Sequence, residues 1–209
     1  NKAATLNLIG KSEEAVQICD QVIALQPNYL MAYYNKGIGM GKLGKFEEAL
    51  ECYTKSTEIK PDYVDGYHVK AYTLLDLGRY EEAIEVTEKL IELKPGDFNP
   101  VFEKALLYQD LGKYEESLPI LDQVISLKAD FFIAYQNKGV AFEKLGKYQD
   151  AIACYNQAIE VNPGDSHSWY SKGLLYEKMG LYEESIESFD KGIMIKPNMA
   201  VGYYHRGIV

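Results

Sequence analysis

Three histidines, three cysteines and 31 carboxylates are what this 209-residue chain offers for chemistry. Such residues serve as metal ligands, thiolate nucleophiles or paired acid and base groups. Their spacing points to none of these. His68, His167 and His205 stand far apart in the sequence, and no HExxH, CxxC or Gly-rich phosphate loop accompanies them. Two histidines brought together would still lack the ligand count of a metal site. Cys19, Cys52 and Cys154 are odd in number and widely separated, so they read as small packing residues of a protein kept in a reducing compartment. Many carboxylates recur at helical steps, as in Glu47, Glu51 and Glu58 or Glu85 and Glu92, which is the pattern of a solvated helix face. The sequence therefore predicts no catalytic residue, no metal and no cofactor.

The elements that carry these residues repeat. Gly10, Gly44, Gly78, Gly112, Gly146 and Gly180 are spaced 34 residues apart, and each opens a near-copy of one phrase: GKSEEA, GKFEEA, GRYEEA, GKYEES, GKYQDA, GLYEES. Pro27, Pro61, Pro95, Pro163 and Pro197 keep the same interval, with Ala129 in the one gap. Between these marks, apolar and small residues recur every three or four positions, one buried stripe on each side of the glycine. Glycine ends the first helix because it takes the left-handed conformation a helix C-terminus uses. The Glu pair that follows suits the N-terminal dipole of the second helix, and proline closes the unit. Helices are predicted at 31–43, 46–59, 65–77, 80–93, 99–111, 114–127, 133–145, 148–161, 167–179 and 182–195. A further pair precedes them and a partial helix follows. Glycines within first helices, Gly37, Gly139, Gly173 and Gly207, predict a close backbone approach against Ala49, Ala151 or Ser185, since an interior glycine costs about 1 kcal/mol. Pro119 falls inside a second helix and predicts a bend there.

The unit resembles the tetratricopeptide repeat family. The carriers are an aromatic early in the first helix (Tyr33, Tyr67, Tyr135, Trp169, Tyr203), a small residue four later, the inter-helix Gly, and the closing Pro. Residues 1–29 form a partial first repeat. Full repeats follow at 30–63, 64–97, 98–131, 132–165 and 166–199, and 200–209 begin another. The resemblance implies an all-α, right-handed superhelical solenoid of antiparallel helix pairs, whose first helices line a concave groove. One departure is systematic: the residue before the first-helix small residue is basic throughout, as Lys2, Lys36, Lys70, Lys104, Lys138, Lys172 and Arg206. Its stem is expected to pack while its charge reaches an acidic neighbour on the next helix, with a basic rail beside the groove as the sharper alternative.

By the same resemblance the groove is lined by Tyr34, Asn35, Ile38, His68, Tyr72, Phe102, Leu106, Gln136, Asn137, Tyr170, Ser171 and Leu174. Tyr and Asn are versatile contact residues. The carboxylate clamp of chaperone-binding members is broken, because Tyr34, Val69, Glu103 and Gln136 occupy its places. The expected function is a cytoplasmic scaffold that binds a peptide or protein segment in this groove. Two rivals stand beside it: a substrate-recruiting arm of a larger enzyme, and a self-assembly module that stacks end to end through uncapped terminal helices. Asn1 aligns with Asn35, so the array is expected to be part of a longer chain. A net charge of −9 argues against nucleic-acid binding, and no apolar run is long enough to span a membrane.

Overall fold

In the computed structural model, residues 2–198 and 200–208 are described. They form thirteen helices and, among the described residues, no strand. In chain order these are α1 Lys2–Leu8, α2 Ser12–Leu25, α3 Leu30–Lys42, α4 Phe46–Ile59, α5 Val64–Asp76, α6 Tyr80–Leu93 and α7 Phe98–Asp110. They continue with α8 Tyr114–Leu127, α9 Phe132–Lys144, α10 Tyr148–Val161, α11 Ser166–Lys178, α12 Tyr182–Ile195 and α13 Ala200–Ile208. The second helices α4, α6, α8, α10 and α12 have the predicted bounds. The first helices begin and end one residue earlier than expected, because the leucine or methionine before each glycine serves as C-cap in α3, α5, α9 and α11. Helix α8 runs unbroken through Pro119. The chain forms two compact units, Asn1–Pro100 and Val101–Val209.

Each inter-helix glycine has positive φ, between 69° and 81°. Gly44 illustrates the turn: the next amide, Lys45 N–H, donates back to the Met40 carbonyl at 3.0 Å, closing the last turn of α3. A residue with a Cβ is strained at that φ. The second helices start without a side-chain cap and place acid in the first turn, a Glu pair in α4 and α6 and Asp150 in α10. At the entrances of α7 and α11 an aspartate caps instead. Asp97 accepts from Asn99 N–H, and Asp165 accepts from His167 and Ser168 N–H. The repeat is stapled to its predecessor by tyrosine hydroxyls, with Tyr33 donating to the Pro27 carbonyl and Tyr67 to that of Pro61.

Three of the first-helix glycines, Gly37, Gly139 and Gly173, answer to rings rather than to a neighbouring backbone, whereas a Cβ on Gly207 would meet nothing within 4 Å, contrary to the close approach expected there. A Cβ on Gly139 would sit 2.8 Å from the Tyr155 ring and one on Gly173 would sit 2.6 Å from Phe189, while Gly37 meets the Tyr53 ring in the same way. The expected partners Ala49, Ala151 and Ser185 are fully buried nearby, and Ser185 Oγ donates to the Gly173 carbonyl. The space that glycine leaves is nevertheless filled by the aromatic residue sixteen positions on. Where the small residue is alanine, the partner shrinks: Ala3 with Cys19, Ala71 with Thr87, Ala105 with Leu121. All six of these residues are buried. Size is conserved across the pair, as close packing requires.

Three of the basic residues find acids on the preceding second helix. Lys36 pairs with Asp20 at 2.6 Å, Lys138 with Asp122 at 2.5 Å, and Arg206 with Asp190 at 2.8 Å. Each acid lies sixteen residues earlier, not on the next helix as the sequence suggested. These three charges are held to second helices, so they do not form a rail along the first-helix face. At Lys70 and Lys172 the residue sixteen earlier is Thr54 or Asn156. Burial lowers the pKa of both amines, and Lys172 lies over the rings of Trp169 and Tyr176.

Candidate binding face of the first helices

Of the twelve groove residues read from the sequence, Tyr72 is the most open, with 53% of its surface exposed. Ile38, His68, Leu106 and Leu174 are half-buried. Asn35 and Ser171 are buried, at 2% and 8% exposure. Asn35 donates its amide to the Met31 carbonyl of its own helix, and Asn137 donates to that of Ile133. The asparagine amides are thus engaged four residues back rather than held out for a peptide.

The row expected from Tyr34, Phe102, Gln136 and Tyr170 wedges into the repeat itself. Tyr34 meets Tyr63 edge-on at 5.4 Å and Tyr53 at 6.2 Å. Phe102 meets Phe131 edge-on at 5.0 Å. Gln136 donates to the Asp165 carboxylate at 2.5 Å and to Ser168 Oγ. Tyr170 lies against Phe189 and His205. A sequence signal for this existed. The residues 29 apart match in kind, with aromatic facing aromatic at Tyr34/Tyr63 and Phe102/Phe131, and amide facing carboxylate at Gln136/Asp165. Burial raises the pKa of Tyr34, with nearby Asp65 adding to it, and pushes Tyr63 up to about 12. These phenols are neutral packing groups.

Another register, which sequence reasoning passed over, ties successive first helices together. Its members are Asn7, Gly41, Leu75, Gln109, Glu143 and Glu177, again 34 apart. Asn7 Nδ2 donates to the Asn35 carbonyl and Gln109 Nε2 to the Asn137 carbonyl, both at 2.9 Å. Glu143 pairs with Lys178 at 2.6 Å, and Glu177 Oε2 lies 3.1 Å from His205 Nδ1. Four of the six thus bridge to the next repeat. Lys42 adds a link in the reverse direction, from its ammonium to the Asn7 carbonyl.

At Gly41 the register is empty. Beside it, within the first unit, lies an open cavity of about 280 Å³ between α3 and α5. Ile38, Val69 and Tyr72 line it, with Phe46 and Tyr53 contributing ring surface and Lys42 and Asp76 polar groups. The three cysteines are buried free thiols whose pKa burial raises to about 11, so they offer no nucleophile to this face. Among the described residues, no group of three or more His, Cys, Asp and Glu could hold a metal ion, and no helix is long and apolar enough to cross a membrane.

Sequence models of the tetratricopeptide repeat match residues 31–63 and 132–165, 101–131 and 166–199, and 52–85. No curated protein matches the chain. Among solved structures, one of MamA is similar with a TM-score of 0.70 and 24% identity over 79% of this chain and 96% of that one. MamA residues 41 to the end from Desulfovibrio magneticus RS-1 give 0.71 and 20%, over 82% and 97%. The structure of YrrB, described as a TPR protein with an unusual peptide-binding site, gives 0.69 and 20%, over 90% and 97%. At these identities the likeness is one of fold.

Proposed function

The chain belongs to the tetratricopeptide repeat family, and from that premise we propose that it is a protein–protein interaction scaffold holding a partner segment on its first-helix face. The observation that carries the reading is the contrast between faces. Second helices direct charge to solvent (Glu47, Glu51, Glu58), while α3 and α5 leave apolar and aromatic surface open at Ile38 and Tyr72. Open apolar surface rimmed by polar groups is what binding sites present. YrrB, of the same fold, is described by its peptide-binding site, which supports the same use of the repeats here. Within the predicted groove set, Ile38, His68, Tyr72, Leu106 and Leu174 are the residues proposed to meet the partner. Tyr34, Asn35, Phe102, Gln136, Asn137, Tyr170 and Ser171 act by holding the first helices in place. Three unpaired buried thiols fit a reducing compartment, and we infer the cytoplasm. The net charge of −9 favours protein over nucleic acid as partner.

The test is to select peptides from a random displayed library and map an enriched peptide on the chain by NMR. Shifts are expected in α3, α5, α7, α9 and α11 at the residues just named. Shifts confined to the outer faces of α4, α6 and α10 would move the site to the second helices, and a library that yields no binder would remove the linear-segment reading altogether.

A further inference from the structure

Resting on the reading that the first-helix face binds a partner segment, we propose that the gap at Gly41 is a specificity pocket. It takes a bulky apolar side chain of that segment, next to a basic residue that meets Asp76.

Three observations converge on the gap. The register Asn7, Gln109, Glu143, Glu177 fills this place with a long polar side chain that reaches the next first helix. At Gly41 there is no side chain, and a Cβ built there would meet nothing within 4 Å. The glycine is therefore not required by packing, unlike Gly37, Gly139 and Gly173, whose places are taken by rings. It costs helix stability without a structural return inside the unit.

The walls decide the chemistry of the occupant. Ile38, Val69 and the Tyr72 ring present mainly apolar surface to the cavity. The Val69 carbonyl is the one a bridge from residue 41 would reach, by the spacing of 28 seen at Asn7 and Gln109. It already accepts from Thr73 Oγ1 at 2.7 Å. With that acceptor engaged, the cavity asks for bulk rather than for a hydrogen-bond donor. Charge complementarity fixes the flank. Lys42 is drawn away to the Asn7 carbonyl, whereas Asp76 is exposed and has no ion-pair partner among the described residues. A cation on the segment beside the apolar residue completes the rim, in keeping with the chain's acidic balance.

The experiment uses fluorescein-labelled decapeptides whose central residue is Ala, Leu, Phe or Trp, with Lys or Glu two positions on. Binding is read by anisotropy up to millimolar chain. Leu, Phe or Trp is expected to bind at least about tenfold tighter than Ala, the scale of burying such a side chain. Lys is expected to bind more tightly than Glu, and Asp76→Asn is expected to erase that difference. Gly41→Gln fills the gap with the residue type found at Gln109. It is expected to abolish the preference for bulk while keeping or raising the melting temperature, which shows that the variant is folded. Indifference to the central residue, absence of binding by every peptide, or a preference that survives Gly41→Gln would each overturn the pocket. If a library-selected peptide still maps to the first helices in any of those cases, the pocket falls and the scaffold reading stands.

Discussion

At the scale of the residue, the most informative positions are the glycines, because identical residues do different work. Gly44 is required by its backbone, at φ +75°. Gly139 is required by the ring of Tyr155, and Gly41 by nothing inside the unit. This separation makes a prediction. Gly139→Ala should destabilise the protein despite alanine's better helix propensity, because overpacking costs about 1–3 kcal/mol against a propensity gain of about 1 kcal/mol. Tyr155→Leu alone should also destabilise, by leaving a void. The double variant recreates the pairing of Ala105 with Leu121 and should lose less than the two single losses together. Urea unfolding of all four proteins closes the cycle. Strict additivity would show that ring and glycine are not coupled.

Elements are positioned by contacts that a single helix does not reveal. The repeat, the stripe on each helix, the glycine stop and the bounds of the second helices were legible in the sequence, and those of the first helices to within one residue, because helix ends depend on residues within one turn or two. Which groove residues stay open was not. Tyr34 and Tyr72 read alike along the chain, but Tyr34 has Tyr63 waiting 29 residues on, whereas Tyr72 is 53% exposed. Asn35, placed in the groove by its position, is buried and donates its amide to the carbonyl four residues back in its own helix. Long-range pairing at spacings of 16, 28 and 29 decides these cases, and a search for local periodicity passes over them. The same spacing makes Asp165 a joint between elements, since it caps α11 and accepts from Gln136 of α9. Asp165→Ala should therefore cost about 1–2 kcal/mol, the upper part of the range for a lost cap, while Asp165→Asn should restore most of it. A loss within a few tenths of a kcal/mol in chemical denaturation would mean that α11 starts without help from this side chain.

For the whole molecule, repetition means that stability is held locally. Within a unit each repeat packs chiefly on its neighbours, so an injury should spread over one or two repeats and stop. Gly37→Ala strikes the first unit, at the contact between α3 and α4. Hydrogen exchange read by mass spectrometry should quicken in residues 30–63 and the adjoining helices, while α10, α11 and α12 keep their protection. Equal acceleration in both units would show a single cooperative block instead. The acidic balance belongs to this scale too, since −9 spread over the chain favours solubility more than any one contact.

The matched pairs of small and large residues across each helix hairpin also define what can be exchanged between repeats. Moving a whole repeat carries Gly37 with Tyr53, or Ala71 with Thr87, and the fit travels intact. Exchanging only α3 and α5 would set a methyl group against the Tyr53 ring and leave a hollow beside Thr87. Crossovers are therefore tolerated in the proline loops and penalised at the glycine turns. The hairpin is the smallest interchangeable part of this molecule, for a protein engineer as for recombination.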